Sequence, residues 1–216
     1  VSNSKLKKVA IGGGAPVVLC DVGTISEPSW DSDNTIVYSQ FGKGIMQVSA
    51  NGGTPEELIE EKGGLYNTRL LPGGKSLMFT LSTNEGYKIA VQSLESRGRK
   101  VLFKGSDAWY LPSGHIVYSI VNKLFAIPFN LDTLQATGAS VPMVEGVFQG
   151  GGVYPPQYAI SNSGTLVYMP SAIAASPRRT LVWVDRNGKE EPLAAAPSDI
   201  YGTFRISPDG TRVALT

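Results

Sequence analysis

Apolar and polar positions alternate in short runs along this chain, and the runs return in one design. Residues 30–38, 71–79, 111–118, 160–168 and 206–215 each read as a short strand, a tight polar turn, then a second apolar strand. Asn34, Gly74, Gly114, Gly164 and Gly210 mark the turns, at intervals of 40, 40, 50 and 46 residues. The turn chemistry has a cause: Asn or Gly adopts the positive φ that a tight hairpin needs, while Pro or Ser initiates it.

Each segment is followed by a second hairpin. Ile45-Met46-Gln47-Val48 turns at Asn51-Gly52-Gly53, and Leu181-Val182-Trp183-Val184 turns at Arg186-Asn187-Gly188. Residues 88–91 return through 100–102, and 124–127 through 141–144. Four strands per period of 40 to 50 residues, with no amphipathic helix, predict an all-β chain: a β-propeller of four-stranded antiparallel blades. Residues 7–19 match the second hairpin of a blade and 204–215 supply only a first. Joined, they complete a fifth blade and remove exposed sheet edges. The expectation is one domain over 1–216, with blades at 24–60, 65–103, 106–146, 154–195, and 201–216 plus 5–20. The rival reading is an excerpt of a ring of about six to eight blades. An apolar loop at 169–177 is credited with lengthening the third interval to 50, either as a partner-docking loop or as a tolerated insertion.

Composition narrows the function. Lys+Arg 19 against Asp+Glu 18 gives a formal net charge of +1, which argues against a nucleic-acid binder. A single cysteine, Cys20, excludes an intrachain disulfide and a thiolate metal cluster. No stretch approaches the roughly 18 apolar residues of a membrane-spanning helix, so no membrane insertion is expected. Val1 in place of an initiator Met suggests a processed or excised portion of a longer protein.

The segments Ser207-Pro208-Asp209-Gly210-Thr211, Leu111-Pro112-Ser113-Gly114-His115 and 181–188 resemble the WD-repeat-like propellers of the TolB type. More narrowly, they are similar to the propeller regions that follow the kinase domain in many bacterial serine/threonine protein kinases. The resemblance covers essentially the whole chain. Asp33-Asn34, Gly73-Gly74 and Ser163-Gly164 depart from its Asp-Gly turn, and no kinase motif is present. It implies a recognition or sensor module in a larger bacterial signalling or envelope protein, and favours a periplasmic or otherwise extracytoplasmic address. Two alternatives stay open: the gating propeller of a prolyl-oligopeptidase-type serine peptidase without its catalytic domain, and a carbohydrate-active propeller using channel carboxylates.

Motifs for chemistry are few. The lone His115 occupies a slot held elsewhere by Thr35, Lys75, Thr165 and Thr211, so it reads as a turn-exit residue. The glycine runs at 12–14 and 150–152 lack the strand–loop–helix setting and Gly-Lys-Ser/Thr ending of a phosphate loop. Asp31 and Asp33 lack the spacing of a calcium loop and read as a blade turn. No catalytic residue, metal ligand or cofactor is assigned.

The repeat itself supplies the candidate site. Seven residues before each marker stand Glu27, Asn67, Asp107, Gln157 and Thr203, all polar; five before stand Ser29, Arg69, Trp109, Ala159 and Arg205. Four before stand Trp30, Leu70, Tyr110, Ile160 and Ile206, which are expected to pack between blades. Strand alternation places the minus-four and minus-six positions on one side and the minus-five and minus-seven positions on the other. Glu27, Asn67, Arg69, Asp107, Trp109, Gln157, Thr203 and Arg205 would then ring a channel mouth, with Tyr66, Tyr154 and Tyr201 beside it. Such a ring either holds a small ligand or protein partner or is simply a solvated channel. Glu27 and Asp107 are a candidate acid/base pair on the carbohydrate reading.

Overall fold

The computed structural model describes residues 4–10, 13–31, 33–150, 155–171, 181–185 and 187–192 with their side chains, and the backbone of 204–206 and 213–215. They fall into two compact units, residues 1–108 and 109–216. In the first, β1 (Lys5–Lys8) pairs with β2 (Val17–Asp21). Two four-stranded antiparallel sheets follow: β3 (Ser29–Trp30), β4 (Thr35–Gln40), β5 (Gly44–Ser49) and β6 (Glu56–Glu60), then β7 (Leu65–Leu70), β8 (Ser76–Thr83), β9 (Gly86–Ser93) and β10 (Arg99–Lys104). The unit boundary falls inside β11 (Ser106–Leu111), whose sheet continues with β12 (His115–Ile120), β13 (Lys123–Asn130), the short β14 (Gln135–Ala136) and β15 (Val141–Glu145). The next sheet is β16 (Tyr158–Ile160), β17 (Leu166–Tyr168), β18 (Val182–Val184) and β19 (Glu190–Pro192). A final hairpin, β20 (Phe204–Ile206) and β21 (Val213–Leu215), places β20 beside β16.

The turn markers do what their chemistry requires. Asn34, Gly74, Gly114 and Gly164 have φ of 64°, 70°, 78° and 88°. Each donates its N–H to the carbonyl three residues back, at 3.2, 3.0, 2.9 and 2.9 Å respectively. At Asn34, Gly114 and Gly164 a left-handed residue closes the turn, and at Gly73-Gly74 two consecutive glycines are left-handed; each brings the next strand back in register. Gly210 lies outside the described residues.

The long third interval has a different source from the one expected. The loop at 169–177 follows Gly164 and therefore falls in the fourth interval. The additional length lies in β13, which runs eight residues and carries the added strand β14, and in the connection bridged at Val147–Pro170 and Gln149–Pro156. Residues 172–177 lie outside the described residues.

The core is laid between sheets. Leu6, Leu19, Ile36, Tyr38 and Val48 pack β1–β2 against the β3–β6 sheet. Val37, Ile45, Leu77 and Phe79 join that sheet to the β7–β10 sheet. In the second unit Val117, Leu124, Tyr158, Leu166 and Tyr168 do the same between the β11–β15 and β16–β19 sheets. Each such side chain contributes about 1.5–3 kcal/mol by leaving water. Of the minus-four set, Ile160 is buried and Leu70 packs against the core, but Trp30 is 54% exposed. β3 is only two residues long, and Trp30 sits at the end of its ladder.

Four strands at sheet edges carry a β-bulge at one repeat position. The registers skip Leu19 in β2, Leu58 in β6, Leu102 in β10 and Met143 in β15. A bulge turns one carbonyl out of its own ladder. In the first unit the next sheet takes it: Gly53 N–H donates to Leu19 O at 3.2 Å, and Arg97 Nη1 donates to Leu58 O.

Candidate functional site

Inner strands β7 and β11 hold four of the eight candidates, Asn67, Arg69, Asp107 and Trp109, and their backbone is special there. Tyr66 pairs with Thr80 and Arg69 with Met78, which leaves Asn67 and Thr68 bulged between them. Asn67 has φ 51°, and Asp107, forty residues on, has φ 48°. Asn and Asp tolerate this left-handed region best among residues with a Cβ, because their short polar side chains bond locally. The minus-seven position is therefore polar in these two sheets for a backbone reason.

The bulge also overturns the simple alternation. Asn67, Thr68 and Arg69 are all buried, at 6%, 0% and 6% exposure, instead of facing alternate sides. Thr68 and Arg69, and Asp107 beside them, find their partners on neighbouring sheets. Ser39 Oγ and Thr68 Oγ1 share a hydrogen bond of 2.6 Å, and Asp107 N–H donates to Thr80 Oγ1 at 3.0 Å. Arg69 donates through Nη2 to Asp107 Oδ1 at 2.6 Å and through Nε to Ala108 O at 3.1 Å. With side chains 8% and 3% exposed, this ion pair is sealed from water. Charges so buried hold only while both partners are present.

The remaining candidates are dispersed. Glu27 is half-buried ahead of β3. Trp109 packs partly buried against the cluster of the second unit. Gln157 donates its side-chain amide to Pro155 O at 3.2 Å, while its backbone bonds Phe148 and Met169. Tyr66 meets Tyr87 edge-on, with ring centroids 6.2 Å apart. Thr203, Tyr154 and Tyr201 lie outside the described residues, as does the side chain of Arg205.

Residues outside the ring also find their roles. His115 Nδ1 lies 3.0 Å from Ser113 O and 3.2 Å from Ser113 Oγ, which ties it into its own turn. Asp33 and Asp185 accept backbone N–H bonds from Thr35, and from Asn187 and Lys189, as turn residues. Those backbone donors hold the Asp185 carboxyl below its usual range. Burial pushes the Cys20 thiol and the Tyr38 hydroxyl beside it upward. Among the described residues no group of three or more His, Cys, Asp or Glu could hold a metal ion. No helix among them is long and apolar enough to cross a membrane.

One polar feature escaped the repeat reading. An open cleft of about 500 Å³ lies in the first unit, with Glu57, Leu58, Ile59 and Glu60 of β6 on one wall and Gln92, Arg97 and Arg99 on the other. Arg99 donates to Gln92 Oε1 at 2.8 Å and Glu61 Oε2 at 3.0 Å, and its guanidinium sits 5.3 Å from the Phe79 ring centroid. The legible signal was the acidic run Glu56-Glu57-Leu58-Ile59-Glu60, which is unusual for a strand.

Four-stranded antiparallel sheets in series, packed face to face within each unit, define the β-propeller fold. No protein family and no curated relative matches the chain. Solved structures do. TolB from Acinetobacter baumannii matches with a TM-score of 0.73 at 21% identity, covering 97% of this chain and 53% of that one. A putative TolB from Agrobacterium tumefaciens matches with a TM-score of 0.68 at 18% identity, covering 100% and 84%. Regucalcin from Agrobacterium tumefaciens, described as a calcium-binding protein, matches with a TM-score of 0.66 at 14% identity, covering 99% and 74%. The chain thus spans about half the length of the Acinetobacter TolB, and what it shares with these proteins is the propeller fold.

Proposed function

We propose that the chain is a non-catalytic recognition propeller, the ligand- or partner-binding part of a larger bacterial signalling or envelope protein. The observation behind this reading is the buried lock of Arg69, Asp107, Thr68 and Ser39, which fastens successive sheets through their inner strands. Side chains held this way serve rigidity, and rigid frames suit recognition by the loops and edges they carry. Arg69 and Asp107 are assigned to the frame, while the half-buried Glu27, Trp109 and Gln157 remain the ligand-facing part of the set. A closed ring of five blades and an extracytoplasmic address belong to the same proposal, as does kinship with kinase-linked propellers.

A thermal-shift panel tests it, because a ligand that binds only the folded state raises the melting temperature. The neighbours choose two arms: regucalcin suggests calcium, and a chain of the nidogen/laminin complex, which matches with a TM-score of 0.60, suggests protein segments. Oligosaccharides form the third. A shift lost in Glu27→Ala or Gln157→Ala supports the reading. Turnover of any arm by the chain would overturn it.

A further inference from the structure

Gln92, Arg97 and Arg99 line the β6 cleft, and each is anchored by one bond or more while keeping N–H groups free. Gln92 stands opposite both Arg99 and Leu77, so these side chains leave the β7–β10 sheet on the face that packs against β3–β6. Arg99 Nε donates to Gln92 Oε1 at 2.8 Å, and its Nη1 donates to Glu61 Oε2 at 3.0 Å. With the Phe79 ring against it, this guanidinium is held by three contacts and its Nη2 is left over. A guanidinium only donates, so the same bond fixes the Gln92 amide with its NH₂ group turned away from Arg99. Gln92 is 6% exposed, and that NH₂ has no partner among the described residues. Arg97 Nη1 reaches across to the Leu58 carbonyl, and its remaining N–H groups are likewise uncommitted. Arg97 also takes a left-handed conformation, φ 59°. That is unfavourable without a short polar side chain, and strain of this kind gathers at ligand clamps.

The β6 wall brings little negative charge to meet these donors. Glu57 and Glu60 pair with Met46 and Gly44, and Met46 packs toward β1–β2, so both carboxylates leave β6 on its far face. Glu56 is held by Gln47 Nε2 at 2.9 Å. Glu61 balances Arg99, so Arg97 leaves the cleft a net positive charge. We propose that this cleft binds a phosphate-class oxyanion, free or as the end group of a small molecule, on Gln92, Arg97 and Arg99. Donors on three side chains suit a tetrahedral anion with several acceptor oxygens better than a planar carboxylate with two. Because Arg99 and Gln92 are already fixed, little side-chain freedom is lost on binding. A volume of about 500 Å³ leaves room for an organic remainder. The cleft shares no residue with the Glu27–Gln157 set, so either can fail alone.

The test is a chemical-shift titration of the ¹⁵N-labelled chain with inorganic phosphate, glycerol 3-phosphate and acetate, with sodium chloride holding the ionic strength constant. Either phosphate compound should move the Gln92 side-chain NH₂ and the Arg97 and Arg99 Nε–H signals, with a dissociation constant at or below about 10 mM. Acetate should bind at least about threefold more weakly. Tighter binding of the ester assigns the cleft to the end group of a larger molecule, and tighter binding of phosphate to the free ion. Arg97→Gln should weaken phosphate binding by roughly fivefold. Gln92→Glu keeps an acceptor for Arg99 but replaces a donor with a carboxylate, and should weaken binding by about tenfold or more while the β8 and β9 amide signals stay in place. Equal binding of acetate would overturn the proposal. So would no shift at about 50 mM phosphate, or unchanged affinity in both variants.

Discussion

Replacing Arg69 by Met tests the claim that the inner-strand lock supports the frame. The substitution keeps a long side chain but leaves the Asp107 carboxylate, 3% exposed, without its 2.6 Å partner. Removing one member of a buried pair costs about 3–5 kcal/mol, against a total stability of about 5–15 kcal/mol for a domain. Equilibrium guanidinium unfolding should show a midpoint shift of that size, because the linear dependence on denaturant converts midpoint to free energy. Adding Asp107→Asn to Arg69→Met should recover much of the loss. Asn removes the stranded charge and still tolerates the φ of 48° that Asp107 adopts. A cost below about 1 kcal/mol for Arg69→Met would place the pair among solvated surface pairs and refute the reasoning. No recovery in the double variant would refute it equally, because the loss would then come from packing.

Other outcomes follow from single positions. Gly44→Ala should cost more than about 2 kcal/mol by the same unfolding measurement, since a Cβ would sit 2.0 Å from Ile59 O at a φ of 126°. Trp30→Ala should change stability by less than about 0.5 kcal/mol, because the indole is half in water. The Arg99 side chain, then the Gly63 N–H, hold the Glu61 carboxyl below its usual range. Its contribution is present above the unfolded-state value and fades as pH falls through the folded one, so Glu61→Gln should flatten the acid limb of a stability–pH profile. Burial, then the Glu190 bond, push Tyr168 up to about 12. Its contribution holds below the unfolded value near 10 and is lost as pH rises toward that figure, so Tyr168→Phe should reduce the alkaline slope.

How much of this was legible depends on which signal is local. The strands and hairpins were readable because alternation and left-handed turn residues act within a few positions; Asn34, Gly74, Gly114 and Gly164 all adopt the φ their identity implied. The interior role of Arg69 was not readable. Alternation around Asn67 predicted one face for odd and another for even positions, and the bulge at Asn67-Thr68 breaks that count. A bulge answers to the partner strand, which a linear pattern does not contain. The repeat position also misplaced Trp30, which stands at the end of a two-residue strand whose length the repeat does not carry. The β6 cleft stayed hidden because its walls come from segments some forty residues apart that share no motif.

The bulges bring the local and the distant together. Leu19, Leu58, Leu102 and Met143 stand 39, 44 and 41 residues apart, so the blade repeat extends to a defect in the ladder. A bulge left to itself weakens its strand and frees a carbonyl. Repeated at one position, it becomes a fixed acceptor offered to whatever packs next. In the first unit a backbone amide of Gly53 takes one such carbonyl and the Arg97 side chain takes the next. The geometry is thus repeated while the donor varies. Arg97 stands in one of these slots and also lines the cleft, so the guanidinium that fastens two sheets is also part of the cleft wall. A strand edge that bonds its neighbour through such bulges is also less available to foreign strands.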